Sequence, residues 1–539
     1  MTRKGRFFCA VFTLFLASFL LSPLPAVAAE KPRYGGVVQF AEREPPNLDP
    51  HLTVSFLTHR ALSLIYNGLV RFSYGHEQKD PTDLSLYPDL AERWEYPDSR
   101  TVIFHLRKGV RFHDKPPVNG REMTAADVKY SLERFMTRSG FRARFSEVEA
   151  IQVLDNYTVK ITTKHPFAPL LSHLAAPSYA VVLPKEAEEK YGDFNSVEAA
   201  IGTGPFMLTE YKRGVKLTFR KNPNFYVPGL PYLDGVVWQI TPKAAARLSL
   251  LRAGRVDFIT AGAYISQEDA MTLRRTNPEL QIDKYDNIAM GYIYMRTDQK
   301  PFNDIRVRRA ISLAINRQAW LQALHYGEGC INNGPIPCAM KEWQLSLEEL
   351  TPEQRKYLVG YDPEEARRLL AEAGYPNGFT TPMFHWPGYA PPWPSRYELA
   401  VDELGKIGIK VEMKPQEYGD YISTTYVGKY EKMAMGPVTP FLEVDDWLYG
   451  MFYPDQPNNR SHVNDPELNK MLVAQRQAID VQERKRIVKE IQRYLADKAY
   501  YVYIPIGVTY HAVSPRLRGH KAKVGYTTGH QLISTWIAE

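Results

Sequence analysis

At 539 residues the chain exceeds what one hydrophobic core supports, so two or three domains are expected. A hydrophobic fraction of 44% with 24% charged residues is that of a globular protein. Part of the net charge of +7 comes from Arg3, Lys4 and Arg6; what remains is small and unclustered, which excludes a nucleic-acid footprint.

Residues 1–29 combine a basic start, an apolar run over 7–21 and a small-residue end at Ala26-Val27-Ala28, the three regions of a cleavable secretory signal. The run is short of the ~20 residues a membrane span needs, and Pro23 and Pro25 follow it. Cys9 stands at the start of that run rather than its end, which argues against a lipoprotein and for a soluble periplasmic product. Residues 34–41 then read as a first strand, 44–51 as a polar loop and 57–69 as a helix.

Residues 71–100 are rich in Asp, Pro and Tyr. Val102, Phe104 and Leu106 alternate as a strand, 107–114 turn, and Thr124 with Asp127 three residues on opens a helix with Val128, Leu132 and Phe135 on one face. His105, His113 and Asp114 read as turn residues, since no nucleophile or metal ligand stands at fixed spacing from them. Asp155-Asn156 suits a hairpin within 153–163. Gly202, Gly204 and Pro205 force a turn ahead of a strand carrying Val215, Leu217 and Phe219.

A helix over 244–254 ends at Gly254, and a strand follows at 256–259. A helix beginning at Asn303 or Asp304 carries Val307, Ala310, Ile311 and Ala314 on one stripe, with Arg306, Arg308 and Arg309 on a solvated face. Cys330 and Cys338 flank Gly334, Pro335 and Pro337, a loop that favours a local disulfide in an oxidising compartment. Asp362, Pro363 and Glu365 start the clearest helix, which Gly374 ends; 395–408 is another, leading into a strand at 409–413. A helix opening at 464–469 and another over 482–498 precede a strand at 501–506. Such alternation of strands and helices argues for α/β lobes.

Four stretches carry a resemblance. Gly-Thr-Gly-Pro-Phe at 202–206 with the following Arg220-Lys-Asn-Pro-Asn-Phe-Tyr226 and Pro231-Tyr-Leu-Asp234, the RKGVRFHD and TAADVKYSLER pair, the KPFNDIRVRRAISLAINR helix from Lys300, and the Tyr361-Asp-Pro helix with Lys406-Ile-Gly-Ile-Lys-Val411 together resemble the family 5 solute-binding proteins of bacterial ABC importers. That family includes dipeptide and oligopeptide receptors. The resemblance runs from Tyr34 to about Ile533. It implies an α/β, two-lobed periplasmic-binding-protein type II fold with an extra α+β domain inserted in the first lobe. Lobe I would comprise 30–70, 201–284 and 505–539, the extra domain 71–200, and lobe II 285–504. It further implies a monomeric receptor, without cofactor or metal, that closes on a peptide or other small solute and delivers it to ABC permease subunits.

Peptide receptors of the family place an Asp a few residues after a Gly-Trp pair to bind the peptide amine. Here Gly436 is kept, Pro437 takes the Trp position and Pro440 the Asp position, so Glu443, Asp445 or Asp446 would have to substitute, beside Trp447. A sugar, opine or metal complex is then an alternative ligand. Arg396 lies near a position where some dipeptide receptors carry a carboxylate-binding Arg. Trp386, Tyr389, Trp393 and Trp447, set among prolines in loops, are the candidate stacking rings. An enzyme of another class, such as a secreted hydrolase, finds no Gly-x-Ser-x-Gly, His-Glu-x-x-His or P-loop motif to support it.

Overall fold

The computed structural model describes residues 30–538 except 54, 177–179, 260–264, 332–333, 390–391, 439 and 526–527; the leader at 1–29 lies outside the described residues. Two sheets organise the chain. A seven-stranded mixed sheet has the order Gln281–Tyr285, Thr509–Val513, Phe258–Ile259, Val37–Glu42, Gly235–Ile240, Lys216–Lys221, Phe206–Lys212. Val37–Glu42 is parallel to both its neighbours and the rest pair antiparallel.

A five-stranded sheet has the order Ile409–Pro415, Phe379–His385, Met433–Val438, Met290–Met295, Tyr501–Tyr503. Its first three strands are parallel and its last two antiparallel. The chain passes between the two sheets twice, over 286–289 and over 504–508. A separate four-stranded antiparallel sheet, Ala91–Asp98, Thr101–Leu106, Thr158–Thr163 and Val148–Asp155, carries the helix Ala125–Arg138. The fold is that of a type II periplasmic binding protein with an extra α+β unit.

Local sequence explains most of these elements. Thr124 and Asp127 exchange the two bonds of a capping box, the Asp127 carboxylate accepting from the Thr124 N–H at 2.8 Å. Asp362 caps Pro363–Glu372 by accepting from the Glu365 N–H, but the Glu365 carboxylate reaches Lys356 and Arg368 instead of closing the box. Asp304 caps Ile305–Ala314. Arg308 of that helix is buried rather than solvated, donating to the carbonyls of Phe302, Asn303 and Lys498.

The expected helix from Leu57 stops early, at Leu62. Beyond it the Leu64 and Ile65 carbonyls accept from the N–H groups of Phe206 and Gly204, so these backbone groups are spent on the glycine turn. The turn packs so tightly that a Cβ on Gly202 would lie 2.1 Å from the Ile65 carbonyl oxygen. Gly202→Ala is therefore expected to cost about 1–3 kcal/mol, measured by urea unfolding. His113 locks the same turn from the inserted unit: its Nδ1 accepts from the Gly202 N–H at 3.3 Å and its Nε2 donates to the Gly204 carbonyl at 3.1 Å.

Two cores flank the five-stranded sheet. Ile293, Met295, Met383, Met433 and Met435 pack on the helices Ile305–Ala314, Pro363–Glu372 and Trp393–Lys406. Tyr292, Tyr294, Ala434 and Val438 belong to a larger cluster that continues into the first sheet and the inserted unit. Cys330 and Cys338 form a disulfide beside the second crossing, where Gly329–Cys330 pairs with Ile506–Gly507. No described helix is long and apolar enough to cross a membrane, and no cluster of three metal-ligating residues occurs among the described residues.

Candidate functional site

In open α/β sheets ligands sit outside the carboxyl ends of parallel strands, so the chain just beyond His385, Pro415 and Val438 is the place to look. The first of these exits supplies Trp386 and Tyr389, and the helix that follows it supplies Trp393, Arg396 and Tyr397. The second supplies Tyr418, Tyr421 and Tyr426. Their rings form a connected group. Trp386 lies 4.5 Å from both Tyr389 and Tyr418, Tyr389 is 5.8 Å from Trp393 and 6.1 Å from Tyr421, and Trp393 is 5.8 Å from Tyr397. Trp386, Tyr389 and Trp393 are half-buried.

Tyr421 reaches across to the third exit. A Cβ on Gly436 would meet its hydroxyl oxygen at 2.3 Å, so the glycine is what lets this phenol close on strand Met433–Val438. Gly436→Ala is expected to displace Tyr421 and lower the melting temperature by several degrees, corresponding to about 1–3 kcal/mol. Burial holds the Tyr421 phenol up near 12, so it is neutral.

Arg396 stands at the edge of this group, stacked 4.6 Å from the Trp393 ring. Its Nη2 contacts His325 Nε2 at 2.9 Å and the Pro505 carbonyl at 3.1 Å, which fastens the second crossing to the ring-bearing helix. Next to Arg396, burial depresses His325 to about 3.

The acidic candidates lie elsewhere in the packing. Glu443 pairs with Arg484, Asp445 with Arg476 at 3.1 Å, and Asp446 with Arg144 of the inserted unit at 2.9 Å. All three acids are buried, and burial pushes Asp446 up to about 7 despite Arg144. This geometry does not support the sequence expectation that these carboxylates stand ready for a ligand amine, because each is buried against an arginine of a neighbouring element. Trp447 is likewise a core residue, fully buried, its indole N–H donating to the Phe441 carbonyl at 3.1 Å.

Sequence reasoning missed Tyr418, Tyr421, Tyr426 and, above all, Arg460. The last contacts the Pro437 carbonyl and lies 3.7 Å from the Tyr426 ring centroid. Only an Asn-Asn-Arg-Ser loop with no periodicity surrounds it in sequence, so no pattern marked it.

A family model described as bacterial extracellular solute-binding proteins, family 5, matches residues 85–459. The chain belongs to that family. Among its relatives, the di/tripeptide-binding protein 1 of Pseudomonas aeruginosa is 27% identical over 95% of this chain and 96% of its own length. The heme-binding protein A of Haemophilus influenzae is 28% identical over 90% of this chain and 89% of its own. Among solved structures, DppA of Helicobacter pylori in complex with the peptide STSA superposes with a TM-score of 0.77 at 26% identity, covering 94% of this chain and 99% of that one. AgaA of A. tumefaciens R10 in complex with agropinic acid does so with a TM-score of 0.77 at 27% identity and the same coverage.

Proposed function

We propose that this family 5 protein is the periplasmic substrate-binding component of an ABC importer, capturing one small solute between two hinged lobes and handing it unchanged to the permease subunits. Lobe I (30–70, 201–284 and 505–539) would be built on the seven-stranded sheet, lobe II (285–504) on the five-stranded sheet, and 71–200 would be the extra domain. The observation that carries the reading is the pair of narrow crossings beside a half-buried group of rings at strand ends, a geometry that permits hinge closure over a ligand. The leader would be cleaved and the product a soluble monomer.

Relatives named for di- and tripeptides favour a peptide as solute. The neutralised Glu443, Asp445 and Asp446 favour the second reading, a non-peptide solute such as an opine, for which AgaA with agropinic acid is the precedent. Binding rather than catalysis is supported by relatives named for what they bind.

Native mass spectrometry of freshly purified protein tests this reading. A single non-covalent adduct of small-solute mass is expected, and its chemical class decides between the two solutes. Trp386→Ala is expected to weaken retention of that adduct by about 2 kcal/mol, roughly 30-fold, if its ring stacks on the solute. Unchanged retention would remove Trp386 from the site.

A further inference from the structure

Arg460 is fully buried and held in place at both ends. The loop around it is pinned by Asn459, whose amide donates to the carbonyls of Tyr453 and Val463 and whose oxygen accepts from the Val463 N–H. The guanidinium lies 3.7 Å from the Tyr426 ring centroid, and its Nη1 donates to the Tyr294 hydroxyl at 2.5 Å and the Pro437 carbonyl at 3.0 Å. Its other edge faces no acid: Nε and Nη2 are buried and lack an acceptor of good hydrogen-bond geometry among the described residues, the Tyr426 hydroxyl being the polar group beside the guanidinium.

Several other buried arginines are paired or fully bonded. Arg134, Arg476 and Arg484 each face a carboxylate. Arg317 faces none, but all three of its nitrogens donate, to the carbonyls of Tyr503, Ser312 and Ile315 and to the Ser312 hydroxyl. Arg460 has neither an acid nor a full set of acceptors. A buried, unpaired charge is strongly unfavourable, and a guanidinium edge with two parallel N–H groups matches the two oxygens of a carboxylate. This edge belongs to the site already described. Arg460 is bonded to the end of strand Met433–Val438 and stacked on Tyr426, which is 6.0 Å from Tyr421. The neighbouring phenols cannot supply the counter-charge, since burial raises both Tyr294 and Tyr421.

We propose that Arg460 is an anion-binding residue of the solute cleft, and that the solute presents a carboxylate to its Nε and Nη2. This rests on the reading that a solute is held against the rings beyond strands Phe379–His385 and Met433–Val438. The end of the cleft at Gly436–Val438 is thus cationic, and a solute whose only charged group there is an ammonium is rejected.

Two measurements test it. The first compares the melting temperatures of the wild type and Arg460→Met without solute. Methionine keeps the apolar stem and removes the charge, so Arg460→Met is expected to melt at or above the wild-type temperature. A fall of several degrees would show that the guanidinium is a structural strut, and overturns the proposal.

The second titrates matched pairs into wild type, Arg460→Met and Arg460→Lys: dipeptides and their C-terminal amides, glutamate and glutamine, gluconate and sorbitol. Among pairs that bind, the acid is expected to bind at least tenfold more tightly to the wild type, Arg460→Met to lose that preference and Arg460→Lys to keep part of it. Neutral members that bind within twofold of their acids, or a preference that survives in Arg460→Met, would overturn it. Failure of every solute to bind the wild type counts against the receptor reading instead, and the solute-free comparison then decides on Arg460.

Discussion

Acidification from pH 7 is expected to unfold this protein cooperatively with a midpoint near pH 5, within about a unit. Burial lowers nine described histidines below their ordinary value, among them His51, His59, His113 and His530 to about 3 and His511 to about 4. A base whose folded pKa is depressed stays neutral in the native state while the unfolded chain takes up a proton. Its stabilisation is complete above about 6.5 and is lost as pH falls toward the folded value. Four carboxyls raised by burial, Asp89, Glu403, Asp445 and Asp446, the last to about 7, pull the other way above the ordinary carboxylate value.

The histidines outnumber the carboxyls, so the unfolded chain binds more protons below about pH 6.5, and an excess of several protons gives a slope of several times about 1.4 kcal/mol per pH unit. That exhausts a total stability of about 5–15 kcal/mol within one to two units. His113 shows the structural side: protonation at Nδ1 would aim a second N–H at the Gly202 N–H it now accepts from, and open the turn on which residues 64–66 rest. Circular dichroism against pH measures the midpoint, and a cooperative native signal persisting at pH 3.5 would contradict the assignment.

Asp49→Ala is expected to cost about 3–5 kcal/mol, the second large effect. Asp49 and Arg134 form a two-pronged buried pair, Oδ1 to Nη1 at 3.1 Å and Oδ2 to Nη2 at 2.7 Å, with side chains 1% and 2% exposed. The same carboxylate accepts from the N–H groups of His51, Leu52 and Phe194. Burial alone would raise its pKa, but Arg134 and these donors hold it below the usual carboxylate value, so it remains charged through the acid transition above. The pair ties the loop after the first strand to the helix Ala125–Arg138 of the inserted unit. Removing the acid leaves Arg134 only Glu188 as an acidic partner, and leaves the buried N–H groups of His51 and Phe194 without their acceptor. Replacing both partners in Asp49→Asn/Arg134→Met should recover part of the loss, because desolvated charge then disappears with its partner. Urea denaturation reads both; a single variant losing less than about 1 kcal/mol would show the pair to be dispensable.

The parts legible in sequence were those written in local chemistry. Thr124 with Asp127, Asp304, and Asp362 with Pro363 cap the helices they announce. Phe379–His385, by contrast, is a central parallel strand that simple alternation did not mark. Ala91–Asp98 escaped notice because it is an edge strand exposed along most of its length, so no buried alternation is imprinted on it.

The site was legible only in part. Trp386, Tyr389 and Trp393 stood out as rings among prolines and do come together. The acids at 443, 445 and 446 stood out equally, and only the three-dimensional arrangement reveals the arginines 144, 476 and 484 that neutralise them. Arg460 and Tyr294, brought together from 166 residues apart, have no sequence signature, since neither local spacing nor periodicity records a contact made across a sheet.

Small-angle X-ray scattering of the solute-free and solute-saturated protein addresses the central claim most directly. Solute stripped by partial unfolding and dialysis, then returned at one equivalent, should reduce the radius of gyration and be recovered chemically unchanged. Identical scattering profiles at full occupancy, or conversion of the solute into another compound, would contradict a receptor that closes over its ligand.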